Sequence, residues 1–181
     1  HSVHAFDTAR HFMGDIQSVT AYQVSGIDVP GGGPIAAVLE FVSGGLGYVD
    51  LNTATPYYQM RTIVAGSAAT IVEVLDLNTV EYVESPEAGA RRGVAPDEPT
   101  LAGYHDVIPR FSWRVPRYYP MEKAFGYVDE LAEFARAVRT GEPSQPTLTD
   151  GYENLLAAEA IAQSLETGAA VTIEELRAEM G

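Results

Sequence analysis

What most constrains the fold of this chain is a change of hydrophobic period partway along it. Between Ser18 and about Ser85 the apolar residues recur at strand spacing, in segments closed by Gly, Asn or Pro, with no helical stretch between them. "SVTAYQVSG" is rich in β-branched and aromatic residues. "IAAVLEFVSGGLGYVDLNTA" reads as two strands joined at Ser43-Gly44-Gly45, where glycine accepts a positive φ at little cost. "YQMRTIVAG", "ATIVEVLD" and "VEYVES" continue the series, with a second hairpin predicted around Gly66-Ser67. Strands that follow one another through short turns pair antiparallel, because parallel neighbours need a long crossover. The block predicts a meander and not a set of βαβ units.

Beyond residue 120 the spacing becomes helical. In "GYVDELAEFARAVRTG", Tyr127, Leu131, Phe134 and Val138 fall on one stripe, and Gly141 marks the stop. In "TDGYENLLAAEAIAQSLETG", Asp150 and Glu153 have capping-box spacing, which predicts a helix starting there and ending near Gly168. Its apolar residues run nearly all round, with alanine at many positions, as in a helix packed closely on more than one side. "AAVTIEELRAEM" adds a short strand and a terminal helical turn or two. Ahead of the strands, "TARHFMG" predicts a short helix with Asp7 as its N-cap. Together these elements predict an α+β fold: a large, mostly antiparallel, open-faced sheet with helices on one face. The other face meets solvent or another subunit.

Residues 86–120 keep no period. "PEAGARRGVAPDEPTLAGYHDVIPRFSWRVPRYYP" is rich in Pro, Gly, Arg and aromatics, and reads as a long excursion with short pieces of structure. Its rings, among them Tyr104, Phe111, Trp113, Tyr118 and Tyr119, argue against plain disorder.

The 181 residues suit one domain with a real core. The formal net charge of -14 disfavours phosphate backbones and anionic lipid headgroups, so neither nucleic acid nor a membrane surface is an expected partner. Cysteine is absent, which removes disulfides, thiolate nucleophiles and Cys-based zinc sites and is compatible with a cytoplasmic setting. The sequence opens on His1 rather than Met, so it is read as a piece of a longer protein whose targeting peptide, if any, lies outside it.

Three of the four histidines stand within the first eleven residues, in "HSVHAFDTARH". An imidazole has a pKa suited to proton transfer near neutrality, so His4 is a candidate general acid/base; a packing role on the sheet is the other reading. A metal site from His1, His4 and His11 is a rival, without an H-E-x-x-H or similar motif behind it. His105 reads as a loop residue. The glycines at Gly31–Gly33 and Gly44–Gly47 match neither dinucleotide nor P-loop spacing, lie between strands, and read as turns. No G-x-S-x-G elbow is present. Lys123, the sole lysine, reads as solvated. "RFSWRVPRYYP" either binds an anionic or hydroxylated ligand through guanidinium forks and ring stacking, or anchors its own loop.

The opening and closing segments together resemble the C-terminal domain of the Gfo/Idh/MocA family of NAD(P)-dependent oxidoreductases. "SVHAFDTARHFMGD" is similar to the family's G-x-H-x-x-D…G segment, and "FVSGGLGYVDLNTA" followed by "RTIVAGSAATIVE" to its strand block. The tail is the most specific part: Tyr127, Glu130, Leu131, Phe134, Gly141, Pro143, Asp150, Gly151, Ser164, Thr167 and Gly168 fall where the family pattern has them. The resemblance covers nearly the whole chain and is weakest over residues 86–120. It implies that His4 is the catalytic acid/base of a hydride transfer. The Asp that many members place four residues before this His would fall ahead of His1, and Ser2 stands where Gly is common. The Lys of the family's E-K-P motif belongs to the N-terminal Rossmann domain, which this sequence does not include. Some members carry an Arg-Phe pair before the Tyr127 helix; here Glu122-Lys123 occupy that neighbourhood.

The resemblance thus implies a single C-terminal domain over residues 1–181, serving substrate binding and oligomerisation. The parent would be a dehydrogenase or reductase acting on a sugar, inositol or similar polyol. NAD or NADP would be held by the Rossmann half, with no cofactor-binding or metal residue expected in this chain, which alone is expected to be inactive. A homo-oligomer through the open sheet face is expected. The alternative is a non-catalytic assembly domain using the same face.

Overall fold

The structure, a computed structural model, describes residues 2–24, 26, 33–52, 61–67, 69–74, 79–84, 110–114 and 126–180. The α+β class expected from the sequence is what it contains, with every strand pair antiparallel. His1, His105, Lys123, Gly31-Gly32 and most of residues 86–120 lie outside the described residues. The chain groups into two compact units, residues 1–56 with 130–181 and residues 57–129, and each holds a four-stranded sheet.

In the first unit, helix α1 (Ser2–Met13) leads into strands β1 (Ile16–Gln23), β2 (Ile35–Phe41) and β3 (Leu46–Leu51). The sheet order is β3-β2-β1-β8, closed at one edge by the two-residue strand β8 (Val171–Thr172). The register of β1 on β2 shifts between Ile16 and Ser18. That extra residue lets Ile16 and Val19, three apart, both face the core. Helices α3 (Leu148–Thr167) and α4 (Ile173–Met180), with α1, cover this inner face. Phe6 from α1, Leu156, Ala157, Ala160 and Ile161 from α3, and Ile173 and Leu176 from α4 form one cluster with Val19, Leu39 and Phe41 of the sheet. The alanines of α3 let the helix sit close against β1, as its composition predicts.

Gly44, at φ 83, makes the β2–β3 turn as expected. Gly47, also read as a turn residue, lies inside β3 instead. A Cβ there would meet the Phe41 ring at 2.9 Å, so the position is kept bare by packing and not by backbone curvature.

Two helix starts differ from the sequence reading. α1 begins at Ser2, so Asp7 is mid-helix and caps nothing; Phe6, Ala9 and Met13 continue the apolar stripe across it. For α3 the N-cap is Thr147, three residues before the expected Asp150. The Thr147 hydroxyl accepts from the Asp150 N–H at 3.2 Å, and the Asp150 carboxylate accepts from the Thr147 N–H at 2.7 Å. Glu153 instead accepts from Arg177 of α4 at 2.7 Å. The stop at Gly168 is as predicted, with φ 70 and its N–H donating to the Ser164 carbonyl at 2.8 Å. Helix α2 (Tyr127–Thr140) is also found, its stripe of Leu131, Phe134 and Val138 exposed.

The second unit is a meander, β4 (Arg61–Ala65), β5 (Ala69–Val74), β6 (Thr79–Glu84) and β7 (Arg110–Arg114), each strand paired with the next. The predicted hairpin at Gly66-Ser67 joins β4 to β5, and part of "RFSWRVPRYYP" forms β7.

Candidate active-site surface of α1

The inward stripe of α1 fixes what its outward stripe can do. With Phe6 fully buried and Ala9 and Met13 packed beside it, the 100° step per residue turns His4, Asp7, Thr8 and His11 the other way. His4, Asp7 and His11 are exposed and Thr8 is half-buried. His4 is in the first turn of the helix, open to solvent and clear of the core. The structure does not bring His4 and His11 into a metal cluster: among the described residues no three His, Cys, Asp or Glu side chains stand close enough to share an ion.

One cation ties α1 to the start of α3. The Arg10 side chain is 12% exposed and reaches across from α1. One terminal nitrogen donates to the Asp150 carbonyl at 3.1 Å and to Asn154 Oδ1 at 3.2 Å; the other donates to Asp15 Oδ1 at 3.0 Å. Asn154, buried in α3, donates its amide to Asp7 Oδ1 at 2.9 Å. Asp7 is therefore a partner of α3, held by a long-range bond that local spacing does not reveal. The Thr147 backbone N–H and hydroxyl, with Arg10 nearby, keep the Asp150 carboxyl below the usual carboxylate range. Arg10 Nε is buried without a hydrogen-bond partner among the described residues.

Beside this link lies a cavity of about 520 Å³, walled on one side by Asp7, Thr8, Arg10 and His11 and on the other by Gln145 and Pro146. The turn that carries Gln145 is clamped to α2. Glu133 accepts the Gln145 backbone N–H at 3.0 Å and two bonds from Arg136, at 2.7 and 2.8 Å; Arg136 also donates to the Pro143 carbonyl at 2.9 Å. The sequence reading missed Arg10, Asn154, Gln145 and Pro146. Asn154 carried a signal, an amide set among the alanines of a helix expected to be buried nearly all round.

Over residues 1–173 the sequence matches the family described as the oxidoreductase family, C-terminal alpha/beta domain. A curated relative, myo-inositol 2-dehydrogenase of Thermotoga maritima, is 29% identical over 185 residues, covering 97% of this chain and 48% of the relative. Levoglucosan dehydrogenase, solved in complex with NADH and L-sorbose, superposes with a TM-score of 0.74 at 16% identity, over 95% of this chain and 48% of its own. An oxidoreductase from Agrobacterium radiobacter, solved with NAD+, L-tartaric acid and magnesium, gives a TM-score of 0.66 at 17% identity, over 96% and 48%. The chain spans about half the length of these relatives.

Proposed function

The chain belongs to the Gfo/Idh/MocA oxidoreductase family as its C-terminal alpha/beta domain, and from that premise we propose that it is the substrate-binding and subunit-contact half of a dehydrogenase acting on a sugar, inositol or similar polyol. The relatives' names support the substrate class: one is a myo-inositol dehydrogenase, another was solved with L-sorbose. The observation that carries the reading is the position of His4. It stands in solvent on the first turn of a helix whose opposite side is pinned by Phe6, so the imidazole is accessible on a helix that is held in place. A ring so held takes a proton from a substrate hydroxyl during oxidation and returns it during reduction. Asp7, bonded to Asn154, orients the helix face and does not react.

The described residues do not fit a dinucleotide. Gly44 turns a hairpin, Gly47 lies inside a strand against Phe41, and among the described residues no glycine loop opens a helix toward a phosphate. In this reading NAD or NADP is held by a Rossmann half of the same protein. The test is His4→Gln in the full-length protein, expected to lower turnover by on the order of 10²–10⁴; undiminished turnover removes His4 from the chemistry. The chain by itself should neither turn over substrate nor bind NADH or NADPH at micromolar concentration.

A second reading, an assembly domain without catalysis, is favoured by the outer face of the β1–β3 sheet. Tyr22, Leu46 and Tyr48 are each more than 60% exposed there, beside Val38. The His4→Gln measurement separates the two readings.

A further inference from the structure

We infer that the exposed apolar stripes of α2 and α3 are the seat of the other half of the same protein, which covers them and holds α2 in place. α2 is amphipathic, yet it is anchored through its polar face. Glu133 accepts the Gln145 N–H, and Arg136 donates to the Pro143 carbonyl and to Glu142. Leu131, Phe134 and Val138 lie on the opposite side of the helix and are 68%, 63% and 69% exposed; none of its described residues is buried. A surface helix ordinarily does the reverse and turns its apolar stripe inward. A helix of 14 residues is marginal on its own in water, and packing of its apolar face is what stabilises it within a protein. The stripe needs a cover.

α3 repeats the pattern. Ala157 and Ala160 mark its core side, whereas Leu148, Tyr152 and Leu155 line the opposite one, with Leu148 96% exposed. Apolar residues nearly all round a helix call for packing on more than one side, and the described residues supply one. Length and point of entry decide the occupant. The chain matches a C-terminal domain and spans about half of its relatives. The inference rests on the family reading in taking a body of similar size to precede α1, and not on a polyol or on His4. α1 shares its layer with α3 and is tied to the start of that helix by Arg10 and Asn154, so a body joined ahead of α1 enters beside α3. The α3 stripe faces away from the sheet, whose outer face is left for a second copy of the chain. A net charge of -14 makes the fitting partner surface apolar and not acidic.

The chain has no cysteine, so Val138→Cys and Leu148→Cys each set a reporter on one stripe. Thiol modification at these positions, followed by mass spectrometry, should be fast in the chain by itself and about tenfold slower in the full-length protein. Backbone amides 129–140 should show the same contrast in deuterium exchange. Phe134→Asp with Leu155→Asp, both exposed, should leave the thermal midpoint of the chain by itself unchanged and lower that of the full-length protein. Equal labelling and exchange in the two proteins would overturn the inference, as would equal effects of the double variant on both midpoints. Labelling of the chain by itself that slows as its concentration rises would also overturn it, by making a second copy the cover. Loss of turnover in His4→Gln with equally exposed stripes would remove this contact and keep the proposed function; covered stripes with turnover insensitive to His4 would do the reverse.

Discussion

The Ser164 hydroxyl serves two backbone segments besides its own helix. It accepts from the Ala21 N–H of β1 at 2.9 Å and donates to the Ala169 carbonyl at 2.6 Å, while its own carbonyl takes the Gly168 N–H. The reason is the shortness of β8, which pairs with Ser18 and Val19 and then ends, leaving Ala21 without a strand partner on that side. A fully buried N–H in that position must be answered by something, and one side chain of α3 answers it. Ser164→Ala should therefore cost about 1–3 kcal/mol, the range for leaving a buried donor unmatched, and more than removing an exposed hydroxyl such as that of Thr167. Urea unfolding midpoints of the two alanine variants give the comparison; equal values would mean that water or a shift of β8 restores the bond. The sequence placed Ser164 in a family pattern without showing this bond, which depends on where two distant elements meet.

At the level of elements, periodicity made the helices readable and local chemistry placed their ends unevenly. The stripe of α2, the nearly all-round apolar surface of α3 and the stop at Gly168 follow from spacing alone, because each depends on neighbours within a turn or two. The start of α3 was read three residues late because Asp150 with Glu153 and Thr147 with Asp150 share the same spacing, and only the second pair forms the bonds. Asp7 misled for a different reason: its partner, Asn154, lies in another helix. The clamp between α2 and the turn before α3 carries a pH dependence of its own. Hydrogen bonds from Arg136, then the backbone N–H of Gln145, lower the Glu133 pKa from 4.5 to about 2. A carboxylate depressed on folding stabilises the folded state fully above its unfolded pKa, and the contribution disappears as pH falls from there toward the folded value. Thermal midpoints should accordingly drop between pH 4.5 and about 2, and Glu133→Gln should flatten that part of the curve. Because the pair is at the surface, added salt should shrink the difference. Identical slopes for the parent and the variant would show that the clamp contributes nothing.

For the whole molecule, the class of fold was legible because a run of strands followed by a run of helices leaves few layered arrangements. The grouping of the strands into two four-stranded sheets was not, since pairing partners at similar spacing look alike in sequence. His4 was singled out as an imidazole of the opening segment and again through resemblance, and it is exposed, whereas the cavity wall was invisible because α1 and the Gln145 turn come from opposite ends of the chain. The outer face of the first sheet brings the last question to the same scale. Tyr48 stands opposite Val38, Thr20 pairs with Val38 from the other side, and Tyr22 pairs with Ala36, giving a band of rings and aliphatic groups across three strands. Glu40 and Asp50 bound it, Glu40 accepting from Ser18 at 2.7 Å. An antiparallel sheet with an apolar outer band lowers its free energy by stacking that band on another, and a stable contact needs about 800 Å² from each partner. A second copy of the chain would bring the same acidic charge, so association should strengthen with salt as repulsion is screened. Light scattering should thus give a mass above the monomer that rises between low and moderate ionic strength. Tyr48→Asp, which sets a charge in the middle of the band without touching the core, should return the chain to the monomer. A chain that stays monomeric at high concentration and moderate salt would leave the band as solvent-facing surface and remove subunit contact from the proposed role.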